Sequence, residues 1–591
     1  MKKQITFLLA LVFIIQSCKK DQQGNEKDIH KEFAELLDNY YENGLKLNPI
    51  TATTAGDYRY NDVFTNLLSD EHLEKEKAYY EKYKEKVTTI PDEGLSESER
   101  LSKAILLWEC NIHLNEYNFN ANLTPIDQMW SPNLFMGQLA SGSGAQPFKT
   151  VEDYEKWLKR VDGYLEWMSS AEDRMREGVE KGHVLPKSLI KKVLPQLEAL
   201  TVKDLDKHLF YQPIQLLPDS FDVSEKENLT KAYQNMVTEK VIPAYEKLHS
   251  FMQNKYMTAG RESSGIQGEP NGDAYYAHQI KKYTTTTMTA NEIHELGLSE
   301  VARIRGEMEK IMKEVGFEGD LKTFFGFVRN NKKLMPFDDP SQVIENFNAI
   351  HERMKPQIEK LFGNKPKTAF EVRRTEAFRE NSASAEYNPG SLDGTRPGIF
   401  YTPIPQVEKY NTYSDESLFL HEAIPGHHYQ ISLTQENKEL PKFRKTLWYS
   451  GYGEGWALYS ESLGKELGLY TDPYQYFGML GAEMHRAVRL VVDTGLHSKG
   501  WTREQAIQYS LENEAESEAS ITAEIERYMA NPGQALSYKI GQLKIRELRA
   551  KAEEVMGDKF DIKEFHNQVL ETGCVPLALL EDKINTWISK Q

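Results

Sequence analysis

The sequence predicts a mainly α-helical protein with one small antiparallel β element just ahead of a histidine-bearing helix. Three observations carry this reading. Apolar residues recur at spacings of three and four through most of the chain, Pro- and Gly-containing breaks punctuate them, and one interval alone switches to short aromatic and β-branched runs. Phe33, Leu36, Leu37 and Tyr40 set the helical pattern, which breaks at Asn48-Pro49. Similar stretches run over 71–87, 97–113, 151–180, 224–254, 290–315 and 340–361, with breaks at Ser141-Gly142-Ser143-Gly144, 259–272 and 363–367. The exception covers 368–374 and 398–403. There Phe370, Val372, Ile399, Phe400 and Tyr401 flank Asn388-Pro389-Gly390 and Asp393-Gly394, which predicts two strands joined through turns. Asn531-Pro532-Gly533-Gln534 divides two further helices near the end.

The first 18 residues stand outside this pattern. Lys2 and Lys3 precede an apolar run from Ile5 to Ile15 that is too short to span a membrane as a helix. Ile15-Gln16-Ser17-Cys18 resembles a bacterial lipobox, so residues 1–18 are expected to be a lipoprotein signal peptide, with Cys18 lipidated and 19–28 a polar tether. An exported protein held to a bacterial membrane by its N-terminal lipid alone follows. Its length of 591 residues would suggest about four domains, yet no linker or shift in composition separates any. One large helical body is expected, divided into an N-terminal region (29–289) and a catalytic region (290–591). Lys+Arg 72 against Asp+Glu 89 gives −17, which argues against a nucleic-acid partner. With 3 Cys, a disulfide scaffold is excluded; the spacing of Cys110 and Cys574 leaves their pairing open.

The segment that carries chemistry runs from Ser414 to His428, Ser-Asp-Glu-Ser-Leu-Phe-Leu-His-Glu-Ala-Ile-Pro-Gly-His-His. Ser414 is placed to cap a helix, and Asp415 and Glu416 suit its positive end. His-Glu followed shortly by His is how zinc hydrolases bring two imidazoles and a carboxylate base to one metal, normally with the histidines at i and i+4. His427 and His428 instead stand at i+6 and i+7 from His421. On a straight helix the first lies about 120° around and the second about 10.5 Å along the axis, too far for two nitrogens that must each reach about 2.0–2.1 Å from zinc. Pro425 and Gly426 supply the remedy, because Pro removes a helical N–H and Gly tolerates unusual dihedrals. Extruding Ile424 and Pro425 as a two-residue bulge restores i, i+4 spacing and assigns His427 rather than His428 to the metal. A third ligand is expected from Gly453-Glu454-Gly455-Trp456-Ala457-Leu458-Tyr459-Ser460-Glu461, where Glu454 and Glu461 share a helical face.

These two strings, with Tyr283-Thr284-Thr285-Thr286, Arg489 to His497 and Pro532 to Lys539, resemble the bacterial lipoproteins of the domain of unknown function 885 family over most of the chain. That family is similar to helical gluzincin zinc peptidases such as thimet oligopeptidase, angiotensin-converting enzyme and Taq carboxypeptidase. The resemblance implies a gluzincin-like body with a deep cleft, His421, His427 and Glu454 as ligands of Zn2+, and Glu461 as the group behind them. His428 stands as the alternative ligand, and Asp493, in a matched motif, as a possible partner of the zinc histidines. Tyr538 is the expected oxyanion donor, with Lys539 the weaker candidate. Glu422 would be the general base, and the strand pair would align an extended short peptide. Two rival readings are a catalytically inactive peptide-binding lipoprotein and a zinc amidase acting on a non-peptide or cell-wall amide. Elsewhere, Met484-His485-Arg486 is read as helix surface or core filler, Asp493 with His497 as an i, i+4 helix-face pair, and the acidic run 514–518 as a solvated face.

Overall fold

The computed structural model describes residues 29–591 apart from 143, 377–379, 381–382 and 392–395. The expected signal peptide, Cys18, the tether and the Asp393-Gly394 turn therefore lie outside the described residues. The chain is helical almost throughout. Helices occupy 29–47, Asp70–Thr89, Glu97–Glu116, Val151–Lys181, Ala290–Glu314 and Pro340–Leu361, close to the periodic stretches. Local signals set their starts. Thr289 with Glu292 and Asp339 with Gln342 form capping boxes, and Pro340 stands in the first turn, where a missing N–H costs nothing. Among the described residues no helix is long and apolar enough to cross a membrane.

Two hydrophobic cores hold the body together. The smaller gathers side chains between Phe64 and Tyr256, with Trp157, Tyr164 and Trp167 at its centre. The larger runs from Phe33 to Ile588 and encloses the histidine segment. Residues early in the sequence thus pack against the last helices, and the helix Glu97–Glu116 contributes Ile105, Leu106 and Cys110 to the larger core. Cys110 and Cys574 are both buried and both free.

Two helix pairs support the site. Ala290–Glu314 packs along Pro473–Ser498, and Ser450–Ser462 along Ser537–Met556. The second pair meets through glycine: a Cβ at Gly455 would fall 2.5 Å from the Cα of Gly541, so any larger residue would force the helices apart.

The β element differs from expectation. Phe370–Arg374 (β1) pairs in parallel with Gly398–Thr402 (β3), and Glu386–Asn388 (β2) pairs antiparallel with β3, giving the order β1-β3-β2. The element is a mixed three-stranded sheet, not an antiparallel pair. The physical reason is the additional strand β2 between the two in sequence: the chain reverses direction from β1 to β2 and again from β2 to β3, so β1 and β3 run the same way.

Candidate metal centre

The histidine segment folds as two helices. Asp415–Glu422 ends at Ala423, whose backbone (φ −105, ψ −104) leaves the helical region, and His427–Glu436 begins after Gly426. The expected bulge in one continuous helix is therefore a four-residue break, 423–426, containing a cis Ile424-Pro425 bond. Gly426 is required here: a Cβ would sit 1.9 Å from the carbonyl oxygen of His421 and 2.3 Å from that of Leu420. The buried Trp456 fixes the break from outside, its indole N–H donating to the Pro425 carbonyl at 2.8 Å.

The break brings His421 and His427 face to edge, with ring centroids 4.9 Å apart. Glu454, on the helix Ser450–Ser462, reaches between them: its Oε2 lies 3.7 Å from His421 Nε2 and 3.6 Å from His427 Nε2. One ligand atom from each of the three residues lies within 4.8 Å of the others. Two imidazole nitrogens and one carboxylate oxygen at this spacing suit zinc with a position left open. Burial alone would raise the Glu454 carboxyl, but the two histidines beside it hold it well below the usual carboxylate range.

Each ring is also held from behind. His421 Nδ1 donates to Glu461 Oε1 at 2.7 Å, and Ser417 Oγ donates to Glu461 Oε2 at 2.8 Å. Burial pulls the His421 pKa down, but Glu454 and Glu461 together push it up to about 10. Behind His427, Gln430 Nε2 lies 2.8 Å from Nδ1 and 2.9 Å from the Gly453 carbonyl, while its Oε1 is buried with no partner. A metal on His427 Nε2 requires a proton on Nδ1, and a half-turn of this amide would give that proton its acceptor in exchange for the bond to Gly453. Glu422 is buried beside the three groups. Burial raises its carboxyl pKa, while His421, His427 and Arg486 oppose the rise.

The remaining expected residues fall in different places. His428 is turned toward the sheet: Tyr387 Oη lies 2.9 Å from its Nδ1, and Phe370 packs on its ring at 4.9 Å. Its neutral ring, pKa pushed down to about 4 by burial, fastens the sheet to the helix. Asp493 accepts from Tyr276 Oη at 2.5 Å and from the Gly533 N–H, and so ties three helical segments together rather than orienting a zinc histidine. It does not pair with His497, which instead bonds Ile266 and Tyr528. Tyr538 is half-buried under the Arg489 guanidinium, 4.5 Å from its ring centroid. Lys539 is fully buried against Glu300 and Glu483. Ser414 precedes its helix without a side-chain cap bond. Asp415 and Glu416 are instead tethered to the helix Pro340–Leu361 through Asn346 and Arg353.

Several residues read as bland in the sequence meet at the site. A cavity of ≈ 200 Å³ borders His421, with Glu461, His485, Arg486 and Glu514 among its walls. His485 Nδ1 donates to Glu514, so this part of the acidic run is a buried partner, not a solvated face. His485 also contacts Arg489, which runs on to Glu524 and Tyr538. Arg486 keeps its Nε buried and unpartnered. The one available signal was the placement of His485, Arg486 and Arg489 beside the apolar run of Ala487, Val488 and Leu490 to Val492.

The family described as bacterial protein of unknown function (DUF885) matches residues 49–584, and the chain belongs to it. Two solved structures share its fold. One is described as a candidate lipoprotein from Colwellia psychrerythraea, with 28% identity, 95% of this chain and 100% of that chain covered, and a TM-score of 0.87. The other is described as a candidate lipoprotein of unknown function from Shewanella oneidensis, at 18% identity, covering 93% and 99% of the two chains, with a TM-score of 0.74. No curated protein matches the chain.

Proposed function

We propose that the chain, as a member of this family, is an exported, lipid-anchored zinc metallopeptidase that hydrolyses short peptides, similar in its chemistry to the helical gluzincins. The observation that carries this reading is the convergence of His421, His427 and Glu454, with Glu422 buried next to them. The two similar structures described as lipoproteins support the anchor.

His421, His427 and Glu454 would hold the zinc, which would supply Lewis-acid chemistry toward the scissile carbonyl and the attacking water. The residues of the chain do the rest. Glu422 accepts the proton of the attacking water on its carboxylate and delivers it to the leaving amine nitrogen. Glu461 and Gln430 fix the two imidazoles. Arg486, with an unpartnered Nε in the cavity wall, offers a cation to a substrate carboxylate or to the developing oxyanion. Tyr538 reaches that cavity only through Arg489 and His485, which favours a positioning role for it. The small size of the cavity beside His421 favours short peptides over folded proteins.

Turnover of a mixed peptide library by the purified chain, with and without 1,10-phenanthroline, tests the reading. Cleavage is expected to stop with chelator and to fall about 100- to 10,000-fold in Glu422→Gln with zinc still bound. Peptide binding without cleavage would favour the inactive binder, and turnover of cell-wall amides alone would favour the amidase.

A further inference from the structure

We infer that the groove between the helix Glu97–Glu116, the helix Leu577–Ser589 and the turn after Ile562–Leu570 is a second binding site. It would take a small amphiphile with one anionic head, seated on Arg444 and Lys583. The groove has a volume of ≈ 930 Å³, within the range of small-molecule sites. It is separate from the metal centre. Leu433 and Glu436 in its wall stand six and nine residues beyond His427 on one helix, which is about 9 to 13 Å along the axis.

Its floor holds two adjacent cations whose hydrogen bonds all go to neutral oxygens. Arg444, 1% exposed, donates to Ser102 Oγ at 3.3 Å and to the Thr572 carbonyl. Lys583 donates to the Gln568 carbonyl and to Thr572 Oγ1. Both therefore meet on Thr572, one through its carbonyl and the other through its hydroxyl. A free donor remains on each: Arg444 Nε is buried with no partner, and the ammonium has a third N–H. Two adjacent like charges, neither hydrogen-bonded to a carboxylate, are costly to bury, and an anion accepting one hydrogen bond from each lowers that cost. Burial pushes the Lys583 pKa down to about 8, with Glu571 opposing the fall and Arg444 adding to it.

Of the five carboxylates that line the groove, Glu439 and Asp582 are exposed to solvent and the other three are already engaged. Glu97 takes Lys590, Glu436 takes the Lys367 and Thr368 backbone, and Glu571 takes Asn364. The rest of the wall includes Leu101, Leu440, Leu579 and Trp587, which suits an apolar tail beside the charged head.

Calorimetric titration of the purified chain with decanoate, decyl phosphate and decanol tests this. Saturable binding of at least one anion is expected, with no saturation by decanol. The tighter of the two anions identifies the head as carboxylate or phosphate. Affinity should fall at least tenfold in Lys583→Met, and also in Leu579→Glu, a half-buried position at the groove wall that serves should Lys583→Met fail to fold. Phenanthroline should leave binding unchanged. No saturable binding of either anion, equal affinity in the folded variants, or loss of binding with the chelator would overturn the assignment.

Discussion

Glu461 Oε1 stands 2.7 Å from His421 Nδ1, so the carboxylate seven residues beyond Glu454 orients the ring that Glu454 faces from the other side. One helix thus presents two acids to one imidazole, the first toward the metal position and the second behind it. The second also accepts from Ser417 on the histidine's own helix, which locks its carboxylate plane.

This arrangement predicts the effect of removing the second acid. Glu461→Ala should lower zinc affinity about 10- to 100-fold, and Glu461→Gln, which keeps an acceptor for Nδ1–H, should lower it less. Competition titration against a chelator of known affinity measures both. Equal zinc affinity in wild type and Glu461→Ala would refute the role.

Gly426→Ala should damage the site through the backbone alone. The added methyl would lie 1.9 Å from the His421 carbonyl oxygen, so the break between the two helices must open. A loss of about 1–3 kcal/mol is expected, read as a lower Tm, together with weakened zinc binding. An unchanged Tm and full zinc content would show that the break is less constrained than its geometry implies.

Arg486→Met should separate binding of zinc from use of substrate. It keeps the bulk of the side chain and removes a charge in the cavity wall that makes no ion pair among the described residues. Zinc content should stay at the wild-type level while kcat/KM falls about 10- to 100-fold, the worth of one hydrogen bond to a charged group. Unaltered kcat/KM would remove Arg486 from the reaction.

Much of the site was legible because its logic is local. The wrong spacing between His421 and His427, with Pro425 and Gly426 between them, called for a local distortion, expected as a two-residue bulge and found as a break between two helices, and the two acids at i and i+7 fell on one face by helical period. What was hidden depends on long-range packing. His485 and Glu514 meet only because the segment after the helix Arg503–Asn513 folds back onto Pro473–Ser498. His428 takes its partner from Tyr387, 41 residues upstream on the short strand that the alternation of the flanking runs did not reveal. The sheet was misjudged for the same reason, since a three-residue strand carries too little pattern to declare itself.

Two neutral histidines predict acid sensitivity. His497 Nδ1 accepts from the Ile266 N–H while Nε2 donates to the Tyr528 carbonyl, and His566 donates from Nδ1 to Leu361 while Nε2 accepts from Tyr459 Oη. Each ring is held as a neutral tautomer, and burial pushes both pKa values down to about 3. Their unfolded value is about 6.5, so between pH 6.5 and 3 the unfolded chain binds protons that the folded chain refuses. Stability is therefore full above pH 6.5 and falls as pH drops, by ~1.4 kcal/mol per pH unit for each ring. Thermal scans from pH 7.5 to 5 should show a falling Tm, with a shallower fall in His566→Gln. A flat profile would contradict the assignment.

The central claim is that a helix break and a distant glutamate gather His421, His427 and Glu454 around one zinc ion. Metal analysis by mass spectrometry, on protein purified without chelator and supplied with zinc, tests it most directly. About one zinc per chain is predicted for wild type and His428→Ala, with near-complete loss in His421→Ala, His427→Ala and Glu454→Ala. Zinc absent from wild type, or lost in His428→Ala and kept in His427→Ala, would contradict it.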